Sequence, residues 1–79
     1  MSATIKNMEL IHADNLTPDQ LMPDDLIEIE DGIVTVIDLE SDAMGDKYFI
    51  AHVDEFGEKD VTEIPFDSKI KLFVFVEEL

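Results

Sequence analysis

The 79-residue sequence contains no arginine and no cysteine, and only three glycines and three prolines. Without arginine, the chain lacks the guanidinium groups that bind carboxylates and phosphates in a bidentate manner and that stack on aromatic rings. Without cysteine, it has no disulfide framework, no thiolate metal ligand and no cysteine nucleophile. Each glycine stands in a turn, so the sequence offers no glycine-rich loop for a phosphate.

Positive charge is also scarce. Five lysines face twenty aspartates and glutamates, giving a formal net charge of −15 and a pI near 4.1. Direct nucleic-acid binding is not expected, because it depends on basic side chains that neutralise phosphates. Anionic membranes repel such a surface, no apolar run approaches the roughly 18 residues of a membrane span, and the N-terminal residues do not resemble a signal peptide. We expect a soluble cytoplasmic or otherwise intracellular protein, with association with a virion as an open alternative.

The apolar content is ordinary, at 46 % of the chain. Acidic disordered segments lack enough apolar residues to offset the entropy of ordering, so this composition predicts a folded protein. The length predicts one small domain. We divide the chain into an N-terminal arm at 1–21, with a short strand at Met8–His12 and a helical turn, and a β-domain at 22–79.

Two β-branched runs around Asp31-Gly32 form the strongest structural signal. Asp-Gly favours a two-residue hairpin turn, because both central residues of a type I′ turn need positive φ. With this loop Ile29 opposes Val34 and Ile27 opposes Val36, so four apolar side chains share one face.

Three further strands and two short turns follow from the same reasoning. Thr17-Pro18 and Gln20 have the pattern of a capping box and predict one helical turn. Gly57 is expected at positive φ in the turn before the fourth strand. The remaining strands are Lys47–Val53, Lys59–Ile64 and Ile70–Val76.

The expected fold is all-β, a small five-stranded barrel, because short strands recur without any helix-length pattern between them. Residues 22–32 resemble the opening of SH3-like domains of the KOW and elongation-factor-P kind, with Asp24 where that pattern has glycine. The resemblance implies an SH3-like barrel over residues 22–76, with a second helical turn before the last strand. Such domains typically contact RNA or ribosomes, but the net charge argues against the same activity here.

No residue pattern predicts catalysis, a cofactor or a metal site. The acids from Asp38 to Asp42 have the spacing that opens an EF-hand loop, but Ala43 and Phe49 occupy the positions that need glycine and glutamate. The two histidines, at 12 and 52, are not spaced as metal ligands from each other. No serine lies in a nucleophile motif. We therefore expect a protein that is not an enzyme.

An apolar surface is the first candidate for binding a partner. Phe73 and Phe75 share the face of the last strand opposite its aliphatic residues, and Tyr48 or Phe49 would lie near them if the third strand is a neighbour. An apolar patch on a small protein can mark a partner or subunit interface. The alternative is that the N-terminal arm or a barrel corner covers these rings.

An acidic surface is the second candidate. Carboxylates at alternate positions of a strand repeat at about 6.8 Å, roughly twice the rise per phosphate of a DNA strand. Such an array can imitate a phosphate track, although solubility alone also explains acidic strand faces. The predicted acidic surface comprises Glu28, Glu30, Asp38, Glu40, Asp54, Glu55, Glu58 and Asp60.

These observations favour a non-enzymatic module for protein–protein interaction or assembly, such as a phage-type accessory or virion protein. Its partner is expected to be a protein that is basic or has an apolar groove, and a homo-oligomer remains open. The alternative function is a nucleic-acid mimic that inhibits a basic DNA- or RNA-binding protein.

Overall fold

The computed structural model describes residues 7–30 and 32–78, which form an antiparallel sheet. These residues contain one 3₁₀ turn and no α-helix. None of their helical segments has the length and apolarity that a membrane span needs. The six strands are β1 (Asn7–Leu16), β2 (Leu26–Ile29), β3 (Gly32–Ser41), β4 (Lys47–Val53), β5 (Lys59–Pro65) and β6 (Ile70–Glu78).

The strand order is β1-β6-β2-β3-β4-β5, so β1 and β5 are the two edges of the sheet that the described residues form. The all-β prediction is confirmed. Five strands and barrel closure are not confirmed, because the sheet is open and has a sixth strand. That strand contains the predicted Met8–His12 segment and pairs with β6 from Asn7 to Leu16.

The first predicted helical turn is present at Pro18–Gln20. Gln20 closes it, since its backbone N–H donates to the Thr17 carbonyl at 3.0 Å and its Oε1 accepts from the Thr17 N–H at 3.1 Å. The second predicted helical turn, before the last strand, is wrong. Residues 65–68 form a single reverse turn instead, in which the Ser68 N–H donates to the Pro65 carbonyl at 3.1 Å.

The β2–β3 hairpin has the predicted faces but a different register. Ile27 opposes Val34 rather than Val36, and Ile29 opposes Gly32. A displacement of two residues preserves the alternation of side chains, so the burial pattern could not distinguish the two registers. Turn geometry decides between them, because Glu30 takes up positive φ at 54°. Asp31 of the predicted turn lies outside the described residues.

The core lies on one face of the sheet, which we call the inner face. Its buried aliphatic residues come from β2, β3, β4 and β6, and Leu21 from the segment after the 3₁₀ turn packs with them. Ile27 and Ile50 are both fully buried. The core cluster comprises Leu21, Ile27, Val34, Val36, Ile50 and Ile70.

Two β-bulges determine which side chains reach the opposite, outer face. One lies in β3 between Val36 and Asp38, so that Asp38 opposes Ala51 and points away from the core. The other lies in β1 between His12 and Asp14. Because a bulge adds one residue to one strand, it reverses the side-chain alternation beyond it. The second bulge places His12 opposite Phe73, on the outer face.

Asp24 redirects the chain just before β2. Its φ is 76°, and its N–H donates to the Val36 carbonyl at 2.8 Å, while the Val36 N–H donates to the Asp25 carbonyl at 2.8 Å. These bonds attach the chain to β3, whereas its pairing with β6 is limited to Leu26 and Ile27. The residue stands where the SH3-like pattern has glycine, which fits a position that needs a left-handed backbone.

Substitution of Asp24 tests this turn. Asp24→Val is expected to lower the free energy of unfolding by about 1–2 kcal/mol, because a β-branched residue is strained in the left-handed region. Asp24→Gly and Asp24→Asn should remain within about 0.5 kcal/mol of the native protein, since both residues tolerate that conformation. Urea denaturation of the three variants measures the difference; equal losses for valine and asparagine would contradict it.

Candidate docking groove

The outer half of β6 is paired on one side only. β2 reaches β6 through Leu26 opposite Phe73 and Ile27 opposite Leu72, and among the described residues its pairing ends there. β1 continues along β6 as far as Glu78. The resulting two-stranded β1–β6 ribbon extends beyond the rest of the sheet. It agrees with the elongated shape of the molecule, 57 × 24 × 20 Å.

An apolar groove of about 400 Å³ lies where this ribbon leaves the sheet. We call it the docking groove. The ribbon contributes Leu10 and Phe75 to it, and the outer face of β2–β4 contributes the opposite wall. That wall and its acidic rim comprise Leu26, Ile33, Thr35, Val53, Asp54 and Glu55.

Phe73 and Phe75 lie on the outer face, as predicted, but differ in exposure. Phe73 is half-buried and contacts the His12 ring, with 5.7 Å between ring centroids. Phe75 remains 55 % exposed and lines the groove. The alternative that the N-terminal segment covers these rings therefore applies to Phe73 in part and leaves Phe75 accessible.

Tyr48 does not join the two phenylalanines. It opposes Ser41 and Ile64 and is two residues from buried Ile50, so it lies on the inner face. There it lines a different cleft together with Phe66. Phe49, the other residue considered for this surface, points to the outer face opposite Glu40, half-buried.

The predicted acidic residues lie in three places, the outer face of the sheet, a separate cleft and the rim of the docking groove. Asp38 and Glu40 share the outer face of β3, as the i, i+2 spacing predicts, and Glu28 lies on the outer face of β2. Glu30 leaves the strand through its positive φ. It lines a cleft of about 300 Å³ with Asp54, Glu58 and Asp60, whereas Glu55 lies at the rim of the docking groove.

Asp54 has a structural role in the turn between β4 and β5. Its Oδ1 accepts hydrogen bonds from the Phe56 N–H at 2.9 Å and from the Glu58 N–H at 2.8 Å. Gly57 in the same turn has φ 82°, as predicted. This carboxylate stabilises the turn through local backbone bonds, which explains an acid here without any ligand.

The burial of His52 was not predicted from the sequence. It is a polar residue on β4 that is only 7 % exposed. Its Nε2 lies 2.8 Å from Thr62 Oγ1, and its Nδ1 is buried without a hydrogen-bond partner among the described atoms. A buried, unprotonated Nδ1 without a donor costs less free energy than a buried Nδ1–H without an acceptor. The arrangement therefore favours the tautomer in which Nε2–H donates to Thr62.

A Thr62→Val variant tests the His52 hydrogen bond. Removal of the hydroxyl leaves Nε2 unpaired, and we expect a loss of about 1–3 kcal/mol in the free energy of unfolding. Combining it with His52→Phe removes both polar groups and should cost less than the two single changes added together. Urea denaturation of the double-mutant cycle gives the coupling; strictly additive losses would show that the bond contributes nothing.

One ion pair stands out on this very acidic surface. Lys47 Nζ lies 2.6 Å from Glu63 Oε1, and 5.8 Å from the centroid of the Phe49 ring. The hydrogen bond to Glu63 and the negative charge of that carboxylate raise the pKa of Lys47 above its usual range. Both side chains are exposed, so the pair contributes little to stability.

Comparison with known proteins gives no relative for this chain. No protein-family model, curated protein or solved structure matches it. Within residues 7–30 and 32–78, no group of three or more histidine, aspartate or glutamate side chains is placed to hold a metal ion.

The groove contains four apolar residues that sequence reasoning missed: Leu10, Leu26, Ile33 and Val53. Leu26, Ile33 and Val53 were recognised as strand residues but not as one surface. Leu10 belongs to the predicted short strand at Met8–His12, which was assigned to the N-terminal arm. The available signal was the alternation of Leu10 and His12 with Ile11, which places the first two on one face.

Proposed function

We propose that this protein is a non-enzymatic interaction or assembly module that binds a partner protein through the docking groove. The observation that carries the proposal is Phe75, a large aromatic side chain 55 % exposed beside an apolar groove of about 400 Å³. Exposed aromatic side chains next to apolar pockets are typical anchors of protein interfaces.

The ribbon around Phe75 strengthens this argument. Its other face carries Ile11, Val74 and Val76, each about 40 % exposed. A strand with apolar faces and an unpaired backbone edge, such as the outer half of β6, promotes aggregation unless another chain covers it or charges protect it. A partner that buries the ribbon would remove this liability.

The charge distribution defines the chemistry of the partner. Asp54 and Glu55 lie at the rim of the groove, and the chain carries −15 overall. A partner surface with an apolar centre and a basic margin matches both features, whereas a second copy brings the same negative charge. An intracellular or virion-associated setting and an accessory role in assembly belong to the same proposal.

For the fold, we propose an SH3-like barrel opened at one seam. Supporting this, β2 and β5 are separated by two strands in the sheet order, yet Glu30 after β2 and Thr62 on β5 line the same cleft. This shared cleft supports the proposal that the sheet curls around its inner face.

The experiment is capture of partners from the native host on the immobilised protein, at about 0.1 M and about 1 M salt, where the Debye length falls from about 10 Å to about 3 Å. We expect the Phe73→Ala/Phe75→Ala variant to lose the partner at both salt concentrations. Phe56→Ala is the matched control, because Phe56 is 83 % exposed in the turn between β4 and β5. It should bind like the native protein.

Salt also tests the alternative function. A nucleic-acid mimic binds through charge, so its partner should dissociate at high salt and should not respond to the phenylalanine substitutions. That pattern, with weakened capture by Asp38→Asn/Glu40→Gln, would overturn the proposed function in favour of mimicry.

A further inference from the structure

β6 has an open backbone edge along the docking groove. β2 pairs with β6 only at Leu72 and Phe73, and among the described residues no strand or loop pairs with Val74–Glu78 on that side. Alternate residues of a strand direct their N–H and C=O groups to one edge. This segment therefore presents unpaired donors and acceptors in the line that β2 would occupy if it were longer.

The backbone just before β2 explains why β2 does not continue along this edge of β6. Continuing the register of β2, Asp25 and Asp24 would stand opposite Val74 and Phe75. Instead, Asp24 has a left-handed backbone, and residues 24 and 25 exchange hydrogen bonds with Val36 on β3 while making no pair with β6 among the described residues. The open edge of β6 therefore begins where the regular part of β2 ends, and it faces the position into which β2 would continue.

From this edge we infer that the partner binds by strand addition: an extended segment of the partner pairs with Val74–Glu78 and continues the line of β2. The inference rests on the proposed function and specifies its binding mode. Main-chain hydrogen bonds to an exposed edge supply affinity in such complexes, and alternate side chains enter pockets on the two faces. Here Phe75 and the groove lie on one face, and Val74 and Val76 lie on the other.

The occupant follows from length and charge. The open segment has five residues, which span about 17 Å in extended form. Its first three residues, Val74–Val76, are apolar, and its last two are Glu77 and Glu78, while Asp24 and Asp25 stand at the opposite end. The matching segment has a short extended apolar centre that is flanked at both ends by lysine or arginine. Repulsion between two chains of −15 disfavours a second copy.

A synthetic peptide tests the inference on the full-length protein. The probe is acetyl-Lys-Lys-Val-Thr-Val-Thr-Val-Lys-Lys-amide, titrated while NMR follows the chemical shifts and hydrogen exchange of the backbone amides. We expect slowed exchange at alternate amides of 74–78. The same peptide with N-methyl groups on all five central residues should bind at least about tenfold more weakly, because its central residues cannot donate main-chain hydrogen bonds.

Two further comparisons separate the contributions. Phe75→Ala should weaken the unmethylated peptide about tenfold, as loss of a buried phenyl contact implies, while Phe56→Ala should not. A peptide with the same four lysines and a Gly-Ser centre should bind at least about tenfold more weakly than the probe, since charge alone is not expected to order the edge.

Each contrary outcome has a distinct meaning. If the methylated and unmethylated peptides bind equally and Phe75→Ala still weakens them, strand addition is refuted while apolar docking stands. Equal binding of the Gly-Ser peptide, or no binding of the probe, also refutes strand addition, and the salt and phenylalanine experiment then decides the proposed function separately. Concentration-dependent protection of 74–78 without peptide would show that a second copy occupies the edge, and would overturn the assignment to a partner.

Discussion

Ile27→Ala is expected to remove much or all of the protein's free energy of unfolding. Ile27 is fully buried, opposes Val34 and Leu72 on two neighbouring strands, and belongs to the core on the inner face. Loss of an isoleucine side chain from such a site costs about 2–5 kcal/mol. A domain of this size has a total stability of only about 5 kcal/mol, so one such cavity removes much or all of it.

Two matched variants give this experiment its scale. Ile27→Val removes one methylene and should cost about 0.5–1.5 kcal/mol. Val61→Ala, at an outer-face position of β5 that is 58 % exposed, should cost no more than about 0.5 kcal/mol. Far-ultraviolet circular dichroism during urea denaturation measures all three. Equal, small losses for Ile27→Ala and Val61→Ala would show that the inner face is not the core.

Raising the sodium chloride concentration is expected to stabilise the protein strongly. Twenty carboxylates against five lysines give a 79-residue domain a formal net charge of −15, and the excess carboxylates repel one another in the compact state. From about 0.01 M to about 1 M salt the Debye length falls from about 30 Å to about 3 Å, which removes most of this repulsion. We expect a gain of about 2 kcal/mol, or about 10 °C in Tm for a domain of this size.

Mild acidification should at first also raise the Tm, because protonation reduces the number of carboxylates that repel one another. The Asp38→Asn/Glu40→Gln variant provides the matched control: it removes two charges from the outer face of β3 and should show a smaller rise of Tm with salt. Differential scanning calorimetry measures both proteins. An unchanged Tm across the salt range would mean that cations already compensate the acidic surface.

The local parts of the fold could be predicted from the sequence, and the non-local parts could not. The strand beginning at Lys47, the turn at Gly57 and the 3₁₀ turn at Pro18–Gln20 each depend on neighbouring residues, so short patterns define them. The pairing of β1 with β6 joins residues about sixty positions apart, Leu10 with Phe75 for example. No short pattern specifies that pairing, so the sequence predicted a short strand at Met8–His12 but neither its full length nor its place in an open sheet.

The candidate site shows the same division. The outer position of Phe73 and Phe75 follows from strict alternation with Leu72 and Val74, and it is confirmed by the register of β6. The placement of Tyr48 near them failed, because alternation from buried Ile50 puts it on the inner face. The open edge of β6 beside Phe75 depends on the positive φ of Asp24. The sequence indicated this left-handed position only through the glycine that the SH3-like pattern has there.

The measurement that tests the central claim most directly is site-specific photocrosslinking in extracts of the native host. A photoreactive phenylalanine analogue is placed in turn at position 75 in the docking groove, at position 56 in the β4–β5 turn and at position 40 on the acidic outer face of β3. We predict a discrete crosslinked partner at position 75 that persists at high salt, with little or none from positions 56 and 40. A partner crosslinked at position 40 and not at 75, and lost at high salt, would contradict docking through the groove.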